Sequence, residues 1–293
     1  MASFPISGFT FVRHAVKLDF PVVASIRSLL PACDEVVVAV GKGEDDTLGL
    51  IRSIGDPRIR IIETTWDLTR GRSVLADQTD LALRACRHPW GIYIQADEVL
   101  SDGSAERLRD AIEQADADPR VEGIVVDYAH FYGGFETIAT HRRMYRREVR
   151  AVRTDPALGV HSFRDAQGFR VGAEDRRIRA RRSSAQVFHY GWARSPEAVQ
   201  AKYEEHAQIF EWDAAKREQR FGTSPFNWIP LLEHFRGPHP TVVRDWVAAR
   251  AEEARAEFGP PHFHRSHIRF YLSAAVEAVT GWRPFEFRNY TLV

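Results

Sequence analysis

The chain has 293 residues, 44% of them hydrophobic and 27% charged, with 40 basic side chains against 40 acidic ones. That length allows one large or two modest domains around a sizeable core, and the composition is that of an ordinary soluble globular protein. The zero formal net charge excludes a general electrostatic attraction to nucleic acid. Cys33 and Cys86 each sit in an apolar segment and read as small core residues in a reducing interior, not as a disulfide or a metal pair.

The opening stretch MASFPISGFTFVRHAVKLD lacks a basic region followed by an unbroken apolar one, so no signal peptide is expected. No apolar run approaches the roughly 20 residues needed to cross a bilayer. The expected location is cytoplasmic, with peripheral contact at the inner membrane face left open.

In chain order, GFTFV (8–12) reads as a strand, and PVVASIRSLL (21–30) as a helix with Pro21 in its first turn and Val22, Val23, Ile26, Leu29 and Leu30 on one face. EVVVAV (35–40) is a buried-type strand followed by the loop GKGEDDT (41–47). Thr47 to Ile54 is a short helix closed by Gly55-Asp56-Pro57, RIRIIET (58–64) a strand, and Ser73 to Arg87 a helix that turns Leu75, Thr79, Ala82, Leu83 and Cys86 inward. GIYIQADE (91–98) then runs from a buried strand straight into carboxylates. Alternating strands and helices of this kind predict an α/β fold, a mostly parallel Rossmann-like sheet with helices on both faces. Such a sheet takes its ligand at the carboxyl ends of its strands, where Asp97 and Glu98 fall.

A helix near 103–115 leads to a strand over 121–133. Beyond about 135 the segments become short, broken and arginine-rich, with thirteen arginines against five acids in residues 142–182. These read as antiparallel or mixed strands, forming either a solvated, salt-bridged face or a surface for an anionic acceptor. SAQVFHYGW (184–192) is a strand, and helices are expected at 196–213, 240–257 and 266–279. With no internal repeat or low-complexity linker, the expected organisation is a catalytic domain over 1–195 with a helical extension, 196–293, packed on it.

Each chemical motif carries a bland alternative. Oxygens converging at the QADE strand end suit Mg²⁺ or Mn²⁺ when substrate phosphates complete the shell, but the same residues could be a solvated turn with Asp102 as a cap. Asp45 and Asp46 in GKGEDDT could accept hydrogen bonds from a nucleobase or ribose, or Asp46 could simply cap the next helix. Arg70 and Arg72 precede a helix start, where phosphate would meet guanidinium groups and free amides; an exposed basic loop is the alternative. His189 lies on an apolar strand beside Phe188 and Tyr190, and Asp165 precedes a glycine-containing turn. His262, His264 and His267 are spaced closely enough for metal, yet no cysteine or carboxylate lies near them in sequence, and they read as surface or helix-start residues.

In order and spacing, the segments TFVRHAVKLD, VVVAVGKGEDDT and GRSVLADQTDLALRACRHPWGIYIQADE resemble glycosyltransferase family 2 of the GT-A fold. HYGWAR (189–194) resembles a bacterial subgroup with QADE in place of Asp-x-Asp. The resemblance, which covers roughly residues 8 to 100, implies an inverting, metal-assisted, hexosyltransferase-like enzyme. It would move a sugar from a nucleoside-diphosphate donor, UDP-sugar favoured, to the hydroxyl of a glycan, lipid-linked or small-molecule acceptor. It implies nucleotide-sugar contacts from Arg13, Asp45, Asp46, Arg70, Arg72, Gln95, Ala96 and Asp97, and a divalent cation, Mn²⁺ or Mg²⁺, on Asp97, Glu98 and His189. The base would be Asp165, favoured over the pair Glu174 and Asp175. Gln95 stands where the first motif carboxylate is usual, which keeps open a degenerate protein that binds nucleotide or glycan without turnover. A nucleotidyltransferase is disfavoured because SGFTFVRHAVKLD holds no glycine-rich phosphate loop.

Overall fold

The computed structural model describes residues 4–210, 226, 228–256, 258 and 263–293. Strand β1 (Ser7–Val12) leads through a loop to helix α1 (Val22–Leu29), which Pro21 precedes. Strand β2 (Glu35–Gly41), helix α2 (Thr47–Arg52), strand β3 (Ile59–Thr64), helix α3 (Ser73–Arg84) and strand β4 (Trp90–Tyr93) follow. β2 and β4 pair on either side of β1, all parallel, and β3 adds beyond β2.

The short strand β5 (Glu98–Leu100) and helix α4 (Ser104–Asp116) come next, then strands β6 (Gly123–Tyr132), β7 (Thr137–Ala139) and β8 (Arg147–Arg153). Strands β9 (Val160–Phe163), β10 (Gly168–Val171) and the 17-residue β11 (Arg176–Trp192) complete this half. The central path runs β3-β2-β1-β4-β8-β6-β11. Only β8 is reversed in it, being antiparallel to both β4 and β6, while β11 is parallel to β6. This is the mixed α/β architecture, mostly parallel along its central path, that the alternating pattern predicts.

Side-chain alternation along the strands builds two cores. Val36, Val38 and Val40 of β2 pack with Ile26 of α1, Ile51 of α2 and Leu108 of α4 on one face. Val37 and Ala39 pack with Leu83 of α3 and Phe169 of β10 on the other. The near-continuous apolar reading of β2 follows from its burial on both faces.

The segment after 195 is not only helical. It holds α5 (Pro196–Phe210), strand β12 (Leu232–His234), α6 (Arg244–Arg250), α7 (Ile268–Thr280) and strand β13 (Tyr290–Leu292). β12 pairs with β7, and β13 lies parallel on β11 from Ile178 to Ala180. These two strands supply backbone partners to β7 and β11 of the first half. The ends of the helices expected at 196–213 and 240–257 lie partly outside the described residues, as does His262.

Candidate active site

Strand order reverses between β1 and β4, because β2 and β3 extend to one side of β1 and the later strands to the other. The loops leaving two such strands separate in opposite directions and open a crevice at their carboxyl ends. There the structure has a cavity of about 570 Å³, walled by Arg13 after β1, Gln95 to Asp97 after β4, Trp66, His189 of β11 and Lys202 of α5.

Asp97 is part of its wall. Its Oδ2 lies 2.8 Å from Lys202 Nζ and 3.6 Å from His189 Nε2, with all three side chains nearly buried. Burial alone would raise the Asp97 pKa, but the Lys202 ammonium and His189 outweigh it and hold the carboxyl well below the usual carboxylate range. Burial, with Arg194 nearby, pulls Lys202 below the ordinary lysine range against the upward pull of Asp97. Lys202 also reaches the Gly191 carbonyl at 3.4 Å and lies 4.8 Å from the Trp192 ring centre. A Cβ on Gly191 would come within 2.5 Å of His189 Nε2 and 2.7 Å of Asp97 Oδ2, so only glycine lets the strand pass this close. Buried Arg194 donates to the carbonyls of Leu18 and Gly191, tying the loop after β1 to the end of β11.

One proton of His189 is placed by its neighbours. His130 Nε2 lies 2.7 Å from the Tyr145 carbonyl, which can only accept, so that nitrogen carries a proton. Burial, together with His189, depresses the His130 pKa to about 3, so the ring is neutral and its Nδ1 accepts. The 3.0 Å contact between the two Nδ1 atoms then places the proton on His189 Nδ1. Nε2 of His189 is left facing Asp97 and the cavity.

Glu98 is adjacent in sequence but points the other way. It opens β5, paired with β11 through His189, and successive side chains of extended chain face opposite sides. Its carboxylate is fully buried and takes Arg150 at 2.9 and 3.1 Å, the Tyr128 hydroxyl at 2.9 Å and the Gln95 amide at 2.9 Å. Its oxygens are spent on core partners, which corrects the expectation of a metal ligand there. After the turn at Ala96 and Asp97 the chain runs into buried β5, and Asp102 accepts from Thr241 rather than capping α4.

A small divalent cation needs about six ligands in near-ideal geometry. Around Asp97 the cavity offers that one carboxylate and one imidazole nitrogen, and an ammonium already occupies the carboxylate. Among the described residues, no group of three or more His, Cys, Asp or Glu could hold a metal ion. The donor set does not fit a resident divalent cation.

Asp165 also lines the cavity. It sits between Arg164 and Ala166, two non-glycine residues in the left-handed region at φ 58° and 60°, a strained arrangement of the kind that concentrates at functional sites. Burial raises its pKa above the ordinary aspartate value. Arg72 and Asp165 both line a smaller adjoining hollow of about 130 Å³. Arg13 Nη1 is buried without a hydrogen-bond partner, 3.9 Å from Glu205.

Arg13, Gln95, Ala96, Asp97, Asp165 and His189 are thus brought together, with Arg72 close by. The other sequence candidates are not. Asp45 is turned to Thr47 and to the Lys17 amide, and Asp46 caps α2 through the Gly49 amide. Arg70 is exposed and paired with Asp77 at 2.6 Å. Glu174 and Asp175 lie in the turn between β10 and β11, where Asp175 meets His161 at 2.8 Å. Exposed His264 and half-buried His267 stand beside α7, away from the cavity wall.

Sequence reasoning missed Lys202 and His130. A signal for Lys202 existed: it shares a helical face of α5 with buried Val199 and Ile209, a position where an apolar residue is the norm. Nothing local distinguishes His130, since its partner is 59 residues away.

No protein-family model matches the chain. No curated protein matches it either. Among solved structures it is similar to S. aureus TarS 1-349 in complex with UDP-GlcNAc, at 12% identity and a TM-score of 0.42 over 73% of this chain and 70% of that one. It is also similar to longer S. aureus TarS, at 10% identity and a TM-score of 0.43 over 73% and 42%. A third similarity is to mannosyl-3-phosphoglycerate synthase from Rubrobacter xylanophilus, at 19% identity and a TM-score of 0.30 over 44% and 41%.

Proposed function

We propose that this chain is an inverting glycosyltransferase that binds a nucleoside-diphosphate sugar, UDP-sugar first among the candidates, and transfers the sugar to an acceptor hydroxyl. The observation that carries the proposal is the Asp97–Lys202–His189 cluster, at the carboxyl end of β4 where strand order reverses. The motif order in the first hundred residues supports the same reading.

In that reaction the acceptor oxygen attacks the anomeric carbon as the bond to the diphosphate oxygen breaks, so negative charge accumulates on the leaving group. Lys202 is a fixed positive charge beside the cavity, and Arg13 Nη1 is a buried donor still without a hydrogen-bond partner. Both are suited to that charge because they need not reorganise as it develops. Asp97 holds the ammonium in place and His189 Nε2 bounds the same space. Asp165 takes the acceptor proton; its raised pKa brings its basicity nearer to what proton transfer at neutral pH requires.

The test is a thermal-shift panel of UDP, GDP, TDP and CDP in EDTA, with Mn²⁺ added back, on wild type, Asp97→Ala and Asp165→Asn. A ligand bound only by the folded state raises its stability by mass action. The expected result is a shift for one nucleotide that persists in EDTA, is lost in Asp97→Ala and is kept in Asp165→Asn. Asp165→Asn should turn over the matching donor about 10²-fold more slowly or worse. No shift with any nucleotide would overturn the proposal.

A further inference from the structure

The arginine-rich half and the carboxyl-terminal helix together form a surface that borders the proposed site at Asp165 and extends away from it. Of the thirteen arginines between 142 and 182, eight are ion-paired with carboxylates, among them Arg147 and Arg182 on Asp127, and Arg176 and Arg179 on Glu122. Arg142, Arg164 and Arg177 have no carboxylate within ion-pair distance among the described residues. All three stand instead beside exposed aromatic side chains. Arg142 lies 5.3 Å from the Phe285 ring centre and Arg164 lies 5.7 Å from that of Phe287. Arg177 lines a shallow hollow with Trp282, Phe285 and Phe287.

Helix α7 continues this surface. Its inner face, Phe270, Ser273 and Glu277, packs against the protein, with the Ser273 hydroxyl donating to Pro284 and Glu277 bound to Arg146 and Arg283. Its outer face carries Ile268, Leu272, Ala275 and Val279, at i, i+4, i+7 and i+11. That is the spacing by which a helix normally buries a stripe in a core, yet Leu272 is 62% and Val279 86% exposed. Arg269 is the one charged residue of α7 that is exposed. Val276 and Tyr271 flank the stripe, and Phe285 beyond it is 86% exposed.

We propose that this face docks on an anionic lipid surface, with the α7 stripe and Trp282, Phe285 and Phe287 entering the headgroup boundary while Arg142, Arg164 and Arg177 meet the phosphates. An apolar helix face beside aromatic side chains and uncompensated arginines is the composition of an interfacial anchor. The charge argues against a second copy as the occupant, because a two-fold contact sets a patch against itself and would bring the three arginines onto their own equivalents. No helix among the described residues is long and apolar enough to cross a membrane, so this surface would lie on the bilayer. The inference does not depend on the transfer activity.

The experiment is co-sedimentation of the full chain with phosphatidylcholine vesicles and with vesicles also containing phosphatidylglycerol, at low and high salt. Wild type is expected to sediment with the anionic vesicles and to be released by salt. Leu272→Glu/Val279→Glu, at solvent-exposed sites, should lower the bound fraction about tenfold or more, with an unchanged circular dichroism spectrum. Arg164→Gln/Arg177→Gln should weaken anionic binding and flatten its salt dependence. Wild type that stays in the supernatant overturns the proposal, as does equal sedimentation of the glutamate variant. A wild-type dimer in analytical ultracentrifugation that Leu272→Glu/Val279→Glu converts to monomer, without vesicle binding, would assign the face to a second copy and also overturn it.

Discussion

Replacing Lys202 by methionine removes a charge and keeps much of the side-chain volume. The pair it breaks is short, 2.8 Å, with each partner's side chain 8% exposed. Coulomb attraction at that separation is about 6 kcal/mol for an effective dielectric of roughly 20. Desolvation of the two ions, several kcal/mol each, cancels most of that, so the intact pair adds little net stability. Removing one partner is different, because Asp97 is then a buried carboxylate without its hydrogen-bonded ammonium. Lys202→Met should therefore lose about 3–5 kcal/mol in urea unfolding at pH 7. Asp97→Asn/Lys202→Met should recover most of it, because the second change removes the stranded charge. Transfer should not recover. If the ammonium meets the developing diphosphate charge, both variants should lose about 10²–10³ in kcat/KM, in the range seen when one preorganised donor is removed. Stability and donor turnover both near wild type in Lys202→Met would refute this reasoning. So would a wild-type enzyme that chelation abolishes and Mn²⁺ alone restores, since the cluster would then need a cation it is not built to hold.

The remaining expectations concern other parts of the fold. Burial raises Glu148 to about 7, against pulls from Arg150 and Asn289. Its contribution to stability is thus full below the unfolded value near 4.5 and declines as pH rises through 7, by about 3 kcal/mol in all. Glu148→Gln should flatten this part of the stability profile between pH 5 and 8, and an unchanged slope would remove Glu148 from the account. Gly191→Ala should abolish nucleotide-dependent thermal shifts and lower stability by about 1–3 kcal/mol, because its methyl would overlap His189 and Asp97; unaltered nucleotide binding would show that the strand can yield. Asp46→Ala should cost about 1 kcal/mol as a lost helix cap and leave donor affinity unchanged in titration. A large affinity loss there would restore Asp46 to the binding site.

Sequence periodicity by itself determined the α/β alternation through α4, the burial of β2 on both faces and the place of the ligand crevice. Those features are local: a 3.6-residue or 2-residue apolar repeat selects helix or strand wherever the chain goes, and a parallel sheet then places its ligand at the strand ends. The QADE segment was accordingly legible as part of a strand-end crevice, and Gln95 and Asp97 do line the cavity there. What local pattern could not determine was how neighbours divide. Asp97 and Glu98 read alike in sequence, but pairing of β5 with a strand ninety residues later turns one into the cavity and the other onto Arg150. The same holds for the arginines of residues 142–182, whose sorting into paired and unpaired sets depends on acids from α4, β6 and the carboxyl-terminal segment. It holds most of all for Lys202, whose place on the apolar face of its helix signals burial but names no partner until α5 lays it against Asp97, 105 residues earlier in the chain. Electrostatic partnership is set by distance in space, and for a buried carboxylate only the tertiary structure decides which cation is near.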